Sequence, residues 1–389
     1  MNRVIYADHA ATTPLDPRVL EAMLPYLREQ YGNPSGVYSV ARAARRAVET
    51  AREQAAQALG AQVREIFFTG GGTESDNWAL AGCMELLRAE GKRHLITTNI
   101  EHPAVLETCR WLEQHGVSVT RLPADEDGYV TAGQVAAAIR EDTGLVSVMY
   151  ANNEIGTIQP VAEIGAACRE RGVLFHTDAV QAAGNVEIDL ASLPVDLLSL
   201  SGHKLYGPKG VGLLFVRDGL RPAPFLHGGE QERGRRAGTE NVAGIVGLGR
   251  ALELAAEDIP GRIAAVEPLR DLLLERLAEI PATRINGGLR PRLCGNCNAS
   301  FAGVEGETLL LSLDLKGICA SSGSACTTGA PEASHVLQAI GLPPELARGS
   351  LRLTLSEHNT REEVEIIART VAETVEHLRA MTGWRPDRR

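Results

Sequence analysis

A lysine between two apolar runs is the residue best placed for chemistry in this sequence. Residues 195–200 and 211–216 each have the composition of a buried strand, and Lys204 lies between them. Partial burial disfavours the ammonium form of a lysine, lowers its pKa and leaves an amine that can condense with a carbonyl. The alternative is a surface lysine in a hairpin loop, although Gly207 and Gly210 indicate close approach of the backbone to another group.

An acidic residue lies at the end of another predicted strand. Residues 173–175 form a short apolar run, and Asp178 follows it. Open α/β sheets bind ligands at the carboxyl ends of their strands. Enzymes that use pyridoxal phosphate (PLP) need a Schiff-base lysine and an acid against the pyridinium nitrogen. Asp178 and Lys204 fit that pair, so PLP chemistry is the first functional hypothesis.

Longer motifs around this pair make the hypothesis specific. His-x-Asp-Ala-x-Gln at 176–181 is followed by Ser-x-Ser-Gly-His-Lys-x-Tyr-Gly-Pro-Lys-Gly at 199–210. The series resembles the cysteine desulfurases, which are PLP enzymes of the class V aminotransferase group with the aspartate-aminotransferase fold. The resemblance runs from Tyr6 to about Glu363 and begins with Tyr-x-Asp-x-x-Ala-Thr-Thr-Pro at 6–14.

The resemblance implies a set of cofactor contacts. A glycine-rich turn that ends at Gly72 precedes Thr73 and opens a predicted helix, whose backbone N–H groups suit an anion such as phosphate. The alternative is a flexible turn capped by Thr73. His102 matches the family histidine that stacks on the PLP ring and is a candidate proton acceptor. The other residues that the resemblance places at the cofactor are Asn153, Asp178, Gln181, Ser201, His203 and Lys204.

A charged, glycine-rich segment at 227–241 predicts either a mobile surface loop or a shaped binding loop. It resembles a family motif whose threonine binds the PLP phosphate of the partner subunit. Thr239 is the matching residue. The resemblance therefore implies a homodimer with shared sites.

Cys326 differs from the other cysteines because small and polar residues surround it. This setting predicts an exposed, mobile loop, where a free thiol needs a role. Desulfurases carry Ser-Ser-Gly-Ser-Ala-Cys, as at 321–326, and their cysteine receives the sulfur as a persulfide. The Cys-Thr form resembles the group I enzymes used for iron–sulfur assembly and tRNA thiolation. Arg352, in a strand predicted at 351–355, matches the arginine that pairs with the substrate carboxylate.

Cys294 and Cys297 form a C-x-x-C pair. A redox site and half of a zinc site are both open alternatives, but no second C-x-x-C or paired histidine lies nearby to complete four ligands. We therefore expect no metal site.

Composition narrows the class of protein. The chain has 389 residues and a net charge of −10, which argues against sequence-independent binding of nucleic acid. An odd number of scattered cysteines, 7, indicates a reducing compartment. Neither a signal peptide nor a membrane-spanning stretch is expected, so we predict a cytoplasmic protein.

Strand and helix patterns alternate over the first part of the chain and predict an α/β fold with a mostly parallel, doubly wound sheet. The resemblance to the cysteine desulfurases further implies that this α/β fold is the fold type I architecture of PLP-dependent transferases. We predict a large PLP-binding domain at 14–255. A smaller α+β domain, formed by 1–13 and 256–389, carries the cysteine loop.

The sequence thus predicts a cysteine desulfurase, a sulfurtransferase that converts L-cysteine to L-alanine and leaves the sulfur as a persulfide on Cys326. The predicted acceptor of that sulfur is an iron–sulfur scaffold or a sulfur-relay protein. A selenocysteine lyase and a class V aminotransferase are the nearest alternatives. A non-catalytic scaffold that binds a sulfur-transfer partner is the alternative from another class, although the Lys204–Asp178 pair argues against it.

Overall fold

Residues 4–289, 291–322 and 333–385 are described by the structure, a computed structural model. Its strands are β1 (Ile5–Tyr6), β2 (Ile66–Thr69), β3 (His94–Thr98), β4 (Ser118–Leu122), β5 (Thr143–Ser147), β6 (Leu174–Asp178), β7 (Leu197–Ser201), β8 (Gly212–Val216), β9 (Thr283–Ile285), β10 (Asn296–Phe301), β11 (Ile318–Cys319) and β12 (Ser350–Thr354). Its helices are α1 (Pro17–Arg28), α2 (Ser39–Leu59), α3 (Gly72–Leu87), α4 (Pro103–Gln114), α5 (Ala132–Ala138), α6 (Val161–Glu170), α7 (Gln231–Gly234), α8 (Val242–Ala256), α9 (Ile259–Ala278), α10 (Gly306–Leu315), α11 (His335–Ala339), α12 (Pro344–Arg348) and α13 (Arg361–Thr382). Within the described ranges, none of the helices is long and apolar enough to cross a membrane.

Seven strands form the central sheet, in the order β2-β8-β7-β6-β5-β3-β4. The neighbours from β7 to β4 run parallel, whereas β8 is antiparallel to both β7 and β2. Helices cover both faces of such a sheet, so its strands are buried on both sides. The predicted mostly parallel, doubly wound sheet is confirmed.

Two apolar cores cover the faces of this sheet. One includes α2 and α8, with Ala51 and Leu248 among its buried residues. The other includes α3 and α4, with Trp78 and Cys109 fully buried. Because the parallel strands end at one edge, the segments that follow β3, β5, β6 and β7 converge there.

The strand predicted at 145–150 is β5, and it ends earlier, at Ser147. Beyond that point the N–H groups of Val148 and Tyr150 still donate to carbonyls of β6, whereas a side chain takes the N–H that faces β3. The carboxylate of Glu101 accepts from the N–H of Met149 at 3.0 Å. Pairing with β3 has therefore ended, while hydrogen bonds to β6 continue to Tyr150.

A separate core joins the two ends of the chain. Ile5 and Ala7 pack with buried residues of α9, α10 and α13. Strand β1 pairs with β11, and β10 lies between β9 and β12 in an antiparallel sheet. This packing agrees with a smaller unit that the N-terminal arm joins; its division from the large unit near residue 255 stays a prediction.

Candidate active site

Lys204 lies directly beyond the end of a central strand. Strand β7 ends at Ser201, and a single 3-10 turn, Gly202–Lys204, follows. The Nζ atom donates to the carbonyl oxygens of Ala10 and Ala11, at 2.5 and 2.7 Å. The N-terminal arm therefore crosses the carboxyl edge of the sheet and holds the amine there.

Asp178 is the last residue of the neighbouring strand β6, and its carboxyl is buried. One oxygen accepts from the N–H of Val180 at 2.9 Å. Burial raises the pKa of Asp178, while the charges of His102 and Lys204 oppose the rise. The acid and the lysine that the sequence pairs are thus close enough to interact electrostatically, together with His102.

His102 has a fixed ring because it caps a helix. Its Nδ1 accepts from the N–H of Ala104 at 3.1 Å at the start of α4. Burial lowers its pKa, which favours the neutral ring. With Nδ1 occupied as an acceptor, the proton of the neutral ring lies on Nε2. A neutral aromatic ring in a fixed orientation is suited to stacking on a planar group.

A groove beside Lys204 is suited to an anion. Helix α3 begins at Gly72, and its N-cap is Gly71 at φ 151°, a value that favours glycine. The alternative of a turn capped by Thr73 is therefore wrong, because Thr73 lies inside the helix. The groove is lined by the start of α3 and by residues after β7, including Gly70, Gly71, Gly72, Thr73, Ser201, His203 and Lys209. Helix N–H groups, a hydroxyl and a lysine together favour phosphate.

The arm also contacts two other predicted cofactor residues. Gln181 donates from Nε2 to the carbonyl of Ala10 at 3.0 Å. His203 shares a hydrogen bond of 3.2 Å with the hydroxyl of Thr12. The anion groove, the buried acid and the lysine lie around one edge of the sheet, and this set of groups fits PLP.

Arg352 lies in β12 and is almost fully buried. Its Nη2 donates to the carboxylate of Asp8 at 2.9 Å, and its Nη1 donates to the carbonyl of Asn153 at 3.2 Å. This places Arg352 next to Asn153, whose role at the cofactor stays a prediction.

Cys326 lies outside the described residues, but the chain on both sides of it is near the site. Ser321 forms an isolated bridge with Arg352. On the other side, His335 shares a hydrogen bond of 3.0 Å with the carbonyl of Glu101, the residue before His102. The described residues on the two sides of Cys326 thus lie beside Arg352 and beside the residue that precedes His102.

Thr239 is exposed, in a loop that is anchored at its base. Glu232 accepts twice from the buried Arg52, at 2.8 Å each. Arg236 donates to Glu74 in α3, at 2.8 and 3.1 Å. Of the two alternatives for this segment, the shaped loop is supported by these bonds, and the exposed threonine is free to face a second molecule.

Sequence reasoning missed several acids near the site, of which two are buried. Glu101 accepts from Thr98 at 2.6 Å, and burial raises its pKa to about 8. Asp76 is fully buried, and its pKa is raised by burial and by the charge of Asp178. Asp8 bonds Arg352 and lies in the motif at 6–14, which is the one signal that could have found it.

The C-x-x-C pair is part of the core of the smaller unit. Cys294 and Cys297 are buried, and burial raises their pKa to about 11 and about 12. Neutral, buried thiols are poor nucleophiles. In the part of the chain that the structure describes, no group of three or more His, Cys, Asp or Glu could hold a metal.

Comparisons with known proteins agree with this geometry. A cysteine desulfurase IscS of Methanosarcina thermophila is 53% identical over 385 residues, 99% of this chain and 95% of that protein. One of Clostridium botulinum is 50% identical, over 98% of this chain and 97% of that protein.

Solved structures show the same fold. A NifS-like protein matches with a TM-score of 0.90 and 40% identity, over 96% of this chain and 100% of that one. A structure described as SspA in complex with cysteine matches with a TM-score of 0.80 and 39% identity, over 91% and 99%. The model of the aminotransferase class-V family matches residues 5–367. The chain therefore belongs to the class-V aminotransferase family.

Proposed function

We propose that this protein is a PLP-dependent cysteine desulfurase that converts L-cysteine to L-alanine and carries the released sulfur as a persulfide on Cys326. The observation that carries the proposal is the convergence of Lys204, Asp178 and His102 at the carboxyl edge of the sheet. Relatives at about half identity that are described as cysteine desulfurases support the substrate.

The residues present fit PLP, and the resemblance proposes a role for each of them. The phosphate would lie in the groove formed by Gly72, Thr73, Ser201 and His203. Asp178 would bind the ring nitrogen, and Gln181 would donate to the phenolic oxygen. His102 would stack on the face of the ring, and Asn153 would make a further contact with the cofactor. When bound, PLP supplies the carbonyl that takes the substrate amine and the electron sink for its Cα.

The protein's own groups move protons and sulfur. Lys204 would hold the cofactor through its amine in the resting protein and would carry a proton at Cα of the substrate. The thiolate of Cys326 attacks the substrate sulfur, so an S–S bond forms and the C–S bond breaks. The electron pair of that bond stays with the carbon skeleton, which takes up protons and leaves as alanine.

The absorbance spectrum and the products test the proposal together. A band near ~400 nm that shifts with L-cysteine is expected for a lysine-bound PLP. Equal amounts of alanine and sulfide should follow when a thiol is present. A protein without the band would be a scaffold, and a keto acid as product would make it an aminotransferase. Faster release of selenium from selenocysteine than of sulfur from cysteine would indicate a selenocysteine lyase.

Arg352 is the residue proposed to bind the substrate carboxylate, and Arg352→Ala tests this role. Truncating one partner of a buried charge pair costs about 2 kcal/mol or more, so we expect KM for L-cysteine to rise at least about 30-fold. Steady-state kinetics and a PLP titration measure both effects. Arg140→Ala, which removes an exposed arginine bonded to Asp142, is the control. Weaker PLP binding with an unchanged KM would assign Arg352 to the cofactor instead.

Thr239 motivates a prediction about the homodimer, which we propose on the resemblance of its loop. A Lys204→Ala subunit and a Thr239→Val subunit should each be inactive or weak as homodimers. If sites are shared, one of the two sites in the mixed dimer has both intact residues, so mixing should restore activity. Tagged heterodimers that form and stay inactive would argue for sites built from one subunit each.

The fate of the sulfur is a proposal that rests on the resemblance of the segment around Cys326 to the group I enzymes. We propose a cytoplasmic protein that passes its sulfur to an iron–sulfur scaffold or to a sulfur-relay protein for tRNA thiolation. A sulfide-release assay in the presence of each purified class of acceptor distinguishes the two, because the physiological acceptor should accelerate turnover.

A further inference from the structure

Both carboxylate oxygens of Asp8 accept hydrogen bonds from residues next to the proposed site. Oδ1 accepts from Nη2 of Arg352 at 2.9 Å, and Oδ2 accepts from the hydroxyl of Ser321 at 2.7 Å. The Asp8 side chain is 14% exposed and that of Arg352 is 4% exposed. Charge-assisted hydrogen bonds with little exposure are stronger than those on the surface.

Backbone bonds hold the same three residues. Ser321 donates its N–H to the carbonyl of Arg352 at 3.1 Å, and Arg352 donates back at 2.7 Å. Asp8 forms a parallel bridge with Thr354, two positions along the strand from Arg352. The guanidinium, the carboxylate and the hydroxyl are therefore carried by adjacent extended segments and cannot shift independently.

The orientation of Arg352 depends on this contact. A buried guanidinium needs an anion and acceptors for its N–H groups. The contact to Asn153 is to a neutral carbonyl, and Nε of Arg352 has no hydrogen-bond partner among the described residues. Glu154 interacts with Arg352 electrostatically, but among the described residues it is the carboxylate of Asp8 that hydrogen-bonds the guanidinium and fixes its plane. The remaining N–H groups stay available to a ligand.

We propose that Asp8 is a positioning residue that orients Arg352 toward the carboxylate of the substrate and links it to Ser321. The inference rests on the proposed function, and it assigns to Asp8 no contact with the reacting atoms. It predicts that the effect of Asp8 is confined to ligands that carry a carboxylate.

Asp8→Asn tests the proposal because the amide keeps the size but has one acceptor oxygen. It can accept from Arg352 or from Ser321, but not from both. We expect KM for L-cysteine to rise about tenfold, and kcat to change by less than about twofold, since an orienting contact acts on binding. The PLP affinity, titrated on the apoprotein, should stay unchanged.

Cysteamine supplies the readout that separates positioning from general damage, because it has the amine and the thiol of cysteine but no carboxylate. Its binding, followed by the absorbance of the bound cofactor, should be equal in the wild type and Asp8→Asn. Asp142→Asn, which removes an exposed carboxylate bonded to Arg140, is the matched control and should leave every value unchanged.

Three results would overturn the proposal: an unchanged KM for L-cysteine, a lower one, or an equal loss of cysteamine binding. If Asp8→Asn does not fold, Ser321→Ala removes the second contact alone. It should still raise KM for L-cysteine without weakening cysteamine binding. The same experiments distinguish failure of this proposal from failure of the proposed function. A wild type that forms no alanine would refute the desulfurase function and the role of Asp8. An active wild type together with an Asp8→Asn variant of normal KM would refute only the role of Asp8.

Discussion

Lys204→Ala is expected to lower alanine formation from L-cysteine by at least about a thousandfold, because it removes both the amine that binds the carbonyl and the group that moves a proton. General acid–base catalysis alone contributes about 10²–10⁴-fold. The contacts of the phosphate groove remain in this variant, so PLP should still bind. The band near ~400 nm should be lost or displaced, since no lysine forms the Schiff base.

Lys92→Ala is the matched control for this variant. Lys92 is a lysine whose Nζ donates to the backbone carbonyl of Glu141 in an exposed contact. Its replacement should leave turnover and spectrum unchanged. Added methylamine or ethylamine should restore part of the activity of Lys204→Ala if proton transfer is the lost step. Turnover of Lys204→Ala near that of the wild type would refute the assignment of Lys204.

The motifs around the strand ends could be found from the sequence because each motif lies within a few residues of its strand. Asp178 closes β6, and Lys204 follows β7 after one turn. Apolar runs and the glycine-rich turns that follow them can be recognised from residues that are adjacent in the sequence. They predicted which edge of the sheet would carry the chemistry.

Contacts between distant parts of the chain could not be predicted in this way. Asp8 and Arg352 are 344 residues apart, and their ion pair appears only when the N-terminal arm lies beside β12. The end of pairing between β5 and β3 has the same kind of cause, since the carboxylate of Glu101 takes the N–H of Met149. Neither pairing changes the local pattern of apolar and polar residues.

Cys326→Ser is expected to have the second-largest effect on activity, after Lys204→Ala, because it removes the thiol that takes the sulfur. A hydroxyl is a far weaker nucleophile than a thiolate, so sulfide and alanine formation should fall by at least about a hundredfold. PLP binding and the spectral response to L-cysteine should remain, because the groups that hold the cofactor and the substrate are intact. Single-turnover measurements of alanine and sulfide check this prediction.

Cys319→Ser is the matched control for Cys326→Ser. Cys319 is partly buried in β11, and burial raises its pKa, which disfavours the reactive thiolate. We expect this variant to keep its desulfurase activity. A loss of activity in Cys319→Ser equal to that in Cys326→Ser would show that disturbance of β11 explains both results.

The location of the transferred sulfur tests the central claim most directly. After brief exposure of the wild type to L-cysteine, peptide mass spectrometry should find an added mass of ~32 Da, one sulfur atom, on the peptide that contains Cys326. The same treatment of Cys326→Ser should leave every cysteine unmodified. Added sulfur on Cys294 or Cys297, together with full activity of Cys326→Ser, would contradict the account.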